Sequence, residues 1–377
     1  MKSILLTTTA IVAFAGAAAA EVSFSGEATL GYNDFDAQNI ADDEVGFYWD
    51  ANVAVAMSQE LDNGVTAAAS FDFDVADLNN GQPLSSGGYV LSLTTDEAGL
   101  YYGDTAFAAE TKWASAGDME ADAFSEADGE TVLRGEFAVA GVEAAVSMAI
   151  TDADGATVTT TSAGADDYDQ ISVGVAATFG QFTVAAAYQE EADAAGFATA
   201  AETANGDFNA GEVYGISAST SFSGADLTIA YAEDTTAGTS STGIKVAYPF
   251  GPVTATAYYV DEAGGTDTDP NYGVKVAYAN GPIAVALDYQ DDQGTTKTAV
   301  DGSYDIGNGF AALAGYYVQD NEDGSAYDDE FYVAGTYDLG GGAAVLVSYA
   351  GGADNTDDEI GANDYKRGAT VEVSFAF

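Results

Sequence analysis

The stretch Ala369-Thr370-Val371-Glu372-Val373-Ser374-Phe375-Ala376-Phe377 ends the sequence and decides its fold. Val371, Val373, Phe375 and Phe377 occupy alternate positions, with Glu372, Ser374 and Ala376 between them. Strict alternation over this length predicts a β-strand with one apolar and one polar face. The strand ends on an aromatic residue. Near the other end, Val22, Phe24, Ala28 and Leu30 alternate with Ser23, Ser25, Glu27 and Thr29. In a bilayer an unpaired strand edge has no water to satisfy it, so first and last strands must close on each other. The two alternating ends therefore predict a closed barrel.

Between these ends the connections fall into two kinds. Short, Gly-centred ones occur at Leu61–Gly64, Asp96–Gly99, Ala140-Gly141, Gly180-Gln181, Ser223–Asp226, Gly251-Pro252, Asn280–Pro282, Gly307–Gly309 and Gly340–Gly342. These read as tight hairpin turns. Longer acidic ones span 33–44, 76–87, 104–130, 151–169, 189–211, 232–241, 261–271, 291–298, 319–329 and 351–366. The two kinds alternate. Nine turns and ten loops enclose twenty strands, and short turns at one end with long loops at the other are the asymmetry of outer-membrane barrels. Runs such as Phe182/Val184/Ala186/Tyr188 and Ile283/Val285/Leu287/Tyr289 fit the ~9–11 tilted residues that cross a hydrocarbon core. Phe179, Phe182, Phe222, Phe250 and Phe310 flank short turns, and Tyr188, Tyr231, Tyr259, Tyr289 and Tyr316 approach the loops, as two interfacial girdles. Gly243–Tyr248 recurs as Gly273–Tyr278, each copy followed by a Gly-Pro turn, a hairpin repeat within one domain.

Composition sets the rest. Residues 1–20 read as a cleaved secretory signal peptide, with Lys2, an apolar stretch from Ile4 to Ala17, and Ala18-Ala19-Ala20 before Glu21. Residues 21–377 then form the single barrel domain. Losing Lys2 leaves seven basic residues against 61 acidic ones, a formal charge of −54. Such a surface excludes nucleic acid as a partner and attracts cations. There is no histidine and no cysteine, which removes Ser-His-Asp and Cys-His catalysis, His-based zinc sites and disulfides. No strand-end carboxylate pair stands out as glycosidase machinery, and no Gly-rich loop opens a helix to cradle phosphate. The expectation is a protein that is not an enzyme and requires no cofactor.

The mature start Glu21–Gly26, Met57-Ser58 leading through an Asp-Asn-Gly turn to Ala69–Phe71, Gly103-Asp104, Tyr337–Gly342 and the terminal Phe377 together resemble the alphaproteobacterial general porins, a family of trimeric diffusion pores. The likeness is best at the two ends of the chain. It implies an outer-membrane location in a Gram-negative bacterium, a homotrimer among outer-membrane lipids, recognition of the C-terminal strand (Val371, Val373, Phe375, Phe377) by the barrel-assembly machinery, and passive diffusion of small hydrophilic solutes and ions. The family typically has sixteen strands. A count of sixteen to twenty is therefore expected, twenty by turns, with two extra hairpins falling between Thr242 and Gln319 either in the wall or above the membrane.

The resemblance also implies that the third loop, 104–130, folds inward and narrows the pore. Glu110, Asp118, Glu120 and Asp122 are then the constriction acids, with Trp113, Met119 and Phe124 as wall anchors. Arg134, Lys245 and Lys275 alternate with outward apolar neighbours, so they face the lumen, where a lipid-facing Lys near the midplane would cost ~2–4 kcal/mol. In such pores wall cations oppose loop acids; the other reading is that these three only neutralise nearby carboxylates. Lys366 and Arg367 begin the last strand near the rim. Acid-lined walls favour cations over anions. Asp152, Asp154, Asp320, Glu322 and Asp323 are candidate Ca²⁺ ligands in oxygen-rich loops, though none completes a helix–loop–helix calcium site. Two other classes fit the pattern: a non-conducting structural or adhesive barrel, and a secreted acidic calcium-binding all-β surface protein.

Overall fold

A computed structural model describes residues 10–12, 21–35, 46–77, 85–126, 130–152, 165–192, 208–265, 268–320, 328–352, 360–361 and 365–377. The strands, in chain order, are β1 (Ala10–Val12), β2 (Glu21–Asn33), β3 (Gly46–Glu60), β4 (Thr66–Asp77), β5 (Ser85–Thr94), β6 (Ala98–Gly103) and β7 (Val132–Val139). Next come β8 (Val142–Asp152), β9 (Ala165–Phe179), β10 (Phe182–Gln189), β11 (Val213–Phe222), β12 (Ala225–Asp234), β13 (Thr239–Phe250) and β14 (Val253–Gly264). The wall is completed by β15 (Asn271–Asn280), β16 (Ile283–Asp292), β17 (Thr295–Gly307), β18 (Phe310–Asp320), β19 (Asp328–Gly340), β20 (Ala343–Gly352) and β21 (Gly368–Ala376). Each of β2 to β21 pairs antiparallel with its sequence neighbours, and β2 pairs with β21 from Glu27↔Ala376 to Asn33↔Thr370. The result is a closed twenty-strand barrel, and among the described residues no helix is long and apolar enough to cross a membrane.

The three hairpins from β13 to β18 pair continuously with one another and, through β12 and β19, with the rest of the wall. The hairpins beyond sixteen strands are thus wall and not loop. The barrel turns have the backbone that twisted hairpins demand. Ala140-Gly141, Ser223-Gly224, Asn308-Gly309 and Gly341-Gly342 place both central residues at positive φ, the type I′ signature. The 291–298 segment departs from the expected long loop. Strands β16 and β17 run on until only Gln293 and Gly294 separate them, at φ 47° and 90°. Asp291 Oδ1 accepts from the Gly294 N–H, and Asn271 Oδ1 from the Gln293 N–H. Acidic composition signalled a loop, but these side chains cap a two-residue turn instead.

Alternation sorts the strands' side chains between two faces. Leu93, Ile216, Ile229, Leu287, Val333 and Val347 stand on the outer face, exposed, as lipid contact requires. Exposed Phe179, Phe222 and Phe250 mark the short-turn end, and Tyr188, Tyr259 and Tyr316 the loop end. The buried groups, including Ser147, Ser172, Gln189, Ser217, Ser241 and Asn271, face the interior. This inversion of the soluble pattern leaves no single apolar core. The small apolar clusters form where loops fold back onto the inner wall. Strand β1 pairs with Val22–Phe24, on the edge of β2 that β21 does not reach.

Candidate functional site: a loop laid along the inner wall

The third loop leaves β6 at Gly103, whose φ of 126° turns the chain inward while the Asp104 N–H donates to Tyr89 O. Phe107 is fully buried with Val132, Ala149 and Phe208. A short helix, α1 (Ala108–Lys112), follows. Its first N–H groups have no partner within the helix; Ala108 donates to Ser147 Oγ and Ala109 to Ser172 Oγ, both at 2.8 Å. Farther along, the Glu120 N–H donates to Glu262 Oε1 at 3.2 Å and the Ala121 N–H to Ser241 Oγ at 2.9 Å. The Ser125 N–H donates to Gln189 Oε1 at 2.7 Å. These five main-chain bonds to wall side chains are each worth ~1 kcal/mol net.

Close approach needs a wall without side chains where the loop lies, and glycines supply it. A Cβ on Gly174 would overlap the Ala108 carbonyl oxygen, and one on Gly215 the Trp113 ring. One on Gly243 would sit 2.6 Å from Ala116 O. Gly174, Gly215 and Gly243 lie on β9, β11 and β13, so they form a track across the interior. Trp113 lies 5.5 Å from the Phe124 ring, and Met119 packs on Ala230, Ala232 and Val260. All three expected anchors are therefore in place against the wall.

The four loop acids occupy different settings. Glu120 is exposed, and it accepts from Asn271 Nδ2 at 3.2 Å. Asp118 accepts from Gln290 Nε2 at 2.6 Å. Asp122 turns toward the wall and accepts from Trp113 Nε1 at 2.9 Å. Burial pushes its carboxyl up to about 6, against the Trp113 bond that lowers it, with the charges of Glu262 and Glu120 adding to the rise. Glu110 is half-buried; burial raises its pKa, the Glu126 charge adds, and Arg134 opposes. Asp118, Glu120 and Asp292 bring carboxylate oxygens within 4.8 Å of one another. Asp292 is also 3.0 Å from Lys297 Nζ.

The wall cations separate in the same way. Arg134 is buried under the start of the loop. Its Nη1 donates to Ala106 O at 2.7 Å, its guanidinium carbon lies 4.7 Å from the Tyr101 ring centre, and Glu136 is 3.9 Å away. Lys275 Nζ is 2.7 Å from Asp288. Lys245 is exposed beside Tyr258 and Thr228, its cross-strand neighbours.

A second inward segment follows β20. Ile360 packs on Ala299 and Tyr317 of the inner wall, the Tyr365 ring is 4.8 Å from Tyr332, and Lys366 Nζ is 4.6 Å over the Tyr48 ring. Tyr48 in turn donates to Glu372 Oε2 at 2.7 Å. Lys366 thus faces inward, whereas Arg367 stacks on Phe35 and donates to Gly352 O. Sequence reading did not find Ile360 or the serine–glycine track. The track's signal was there, as Ser and Gly at inward positions, but small residues face inward elsewhere too. Of the candidate calcium ligands, Asp154, Glu322 and Asp323 lie outside the described residues; Asp152 ends β8 and Asp320 ends β18. Val371, Phe375 and Phe377 are exposed on the outer face of the closing strand.

A closed barrel with an apolar belt and an internally folded loop defines a transmembrane β-barrel of the channel-forming architecture. The model of the Gram-negative porin family matches residues 7–359. The chain belongs to that family, whose place is the outer membrane. Among solved structures, two engineered variants of Rhodopseudomonas blastica porin are similar, each at 14% identity over 95% of this chain and 100% of theirs, with TM-scores of 0.46 and 0.45. No curated protein matches the sequence.

Proposed function

We propose that this porin is an open, water-filled channel for passive diffusion of small hydrophilic solutes and ions, with a preference for cations. One observation carries the preference. The interior cations are largely committed: Arg134 to Ala106 O, Lys112 to Glu143, Lys275 to Asp288 and Lys297 to Asp292. Glu120 and Glu126, by contrast, stand exposed on the loop. Solvent-exposed carboxylates at a narrowing raise the local concentration of cations and repel anions. The loop's bonds to the wall support an open lumen, because a chain held flat does not block it.

The same reading makes the active form a homotrimer in outer-membrane lipid, delivered through a cleaved leader and assembled by recognition of the C-terminal strand. It requires no cofactor and no catalysis, and calcium on the acidic loops is incidental to it. Liposome swelling tests it. Proteoliposomes of the folded protein should swell in iso-osmotic arabinose and more slowly in raffinose. Folded barrel that gives no swelling with either sugar would instead support the non-conducting structural reading.

A further inference from the structure

Gly117 and Asp118 of the third loop and Ile360, after β20, share in lining a recess of about 360 Å³. Lys245, Lys275, Asp288 and Tyr258 of the wall line it as well. Lys275 is held by Asp288 at 2.7 Å. Lys245 differs: among the described residues no carboxylate lies within 4.0 Å of it. In a chain with eight basic and 61 acidic residues, an interior lysine without an ion pair is exceptional. Its charge is offered to the lumen. The recess therefore presents a cation, a carboxylate and an apolar surface together.

We propose that this recess is a solute subsite for small zwitterions of the amino-acid type. The solute carboxylate meets Lys245 Nζ, its ammonium meets Asp118, and its aliphatic part lies against Ile360 and Tyr258. A solute with only a carboxylate gains Lys245 but is opposed by Asp118 and Asp288. One with only an ammonium gains Asp118 but is opposed by Lys245 and Lys275. The site discriminates by what it repels as well as by what it attracts. The proposal rests on the open-channel reading above, so its test separates the two.

Single-channel current in KCl is recorded first, and L-leucine, isovalerate and isoamylamine are then added in turn. Leucine should interrupt the current at lower concentration than either singly charged relative. Lys245→Gln should raise the half-blocking concentration about tenfold, the loss of ~1.4 kcal/mol, and Ile360→Ala should raise it less. Both variants are checked for heat-modifiable gel mobility, which reports folded barrel. Block by isovalerate or by isoamylamine equal to that by leucine, or an unchanged half-blocking concentration in Lys245→Gln, overturns the subsite. If the folded barrel passes no current, the channel reading fails, and titration calorimetry of leucine with the detergent-solubilised protein still decides the subsite: a Lys245-dependent binding heat supports it and no heat rejects it.

Discussion

Gly26 and Phe377 exchange both of their main-chain hydrogen bonds, at 2.8 and 2.9 Å, and the Phe377 ring lies on the Gly26 α-carbon. A Cβ at residue 26 would sit 2.9 Å from the ring and 2.7 Å from Asn52 O. The ring can swing away, but the main-chain oxygen of β3 cannot do so without bending the strand. Gly26→Val should therefore weaken barrel closure, with a strain of ~1–3 kcal/mol. The measurement is the fraction of protein with folded, heat-modifiable mobility after refolding, which should fall below wild type. Wild-type yield from Gly26→Val would show that closure does not depend on this contact.

The glycine track makes a second prediction. Gly174→Leu places a side chain where the Ala108 carbonyl and the Lys112 stem now lie. The loop must lift from the wall while the barrel, held by strand pairing, stays closed. Single-channel conductance should change markedly and become noisy, with heat-modifiable mobility retained. Ser172→Ala, which removes one loop bond worth ~1 kcal/mol, should give a milder version of the same change.

Asp122 gives the loop a pH dependence whose sign is fixed. Burial pushes its docked carboxyl up to about 6, above the ordinary value of 3.8. A raised carboxyl pKa means the docked loop binds the proton more tightly than the free loop. Docking is strongest below about pH 4, weakens as pH rises through the window between 3.8 and 6, and is constant above it. Loop fluctuations, read as open-channel noise, should increase from pH 4 to pH 6.5. Asp122→Asn, whose carboxamide oxygen still accepts from Trp113, should be quiet across that range. Noise that rises equally in the variant would remove Asp122 as the cause.

Much of the barrel was legible because lipid reverses the usual burial rule and writes strict alternation into each strand. Twenty strands, their turns and the pairing of Phe377 with the first strand could all be read from that pattern. The 291–298 segment was misread because acidic side chains that cap a turn look in sequence like those of a long loop. The third loop's course was legible only through resemblance. Its hold on the wall depends on Ser147, Ser172 and Ser241, which resemble any other small inward residue until the loop is laid over them. Ile360 was hidden for a related reason: one aliphatic residue in an acidic loop carries no periodicity.

Screening offers a further check. The exposed loop acids Glu120 and Glu126 act through solvent, where the Debye length falls from ~30 Å at 0.01 M salt to ~3 Å at 1 M. Cation preference should be strong in dilute KCl and fade toward 1 M. Glu120→Gln together with Glu126→Gln should reduce it in dilute salt and leave little difference at high salt.

Cation preference through an open lumen is read from the zero-current potential of the purified, refolded protein in a planar bilayer under a KCl gradient at neutral pH, with the dilute side near 0.1 M or below, where the Debye length is ~10 Å or more. An open pore with exposed loop acids should give stepwise openings and a reversal potential of cation-selective sign. A reversal potential of anion-selective sign from demonstrably folded barrel would contradict that preference.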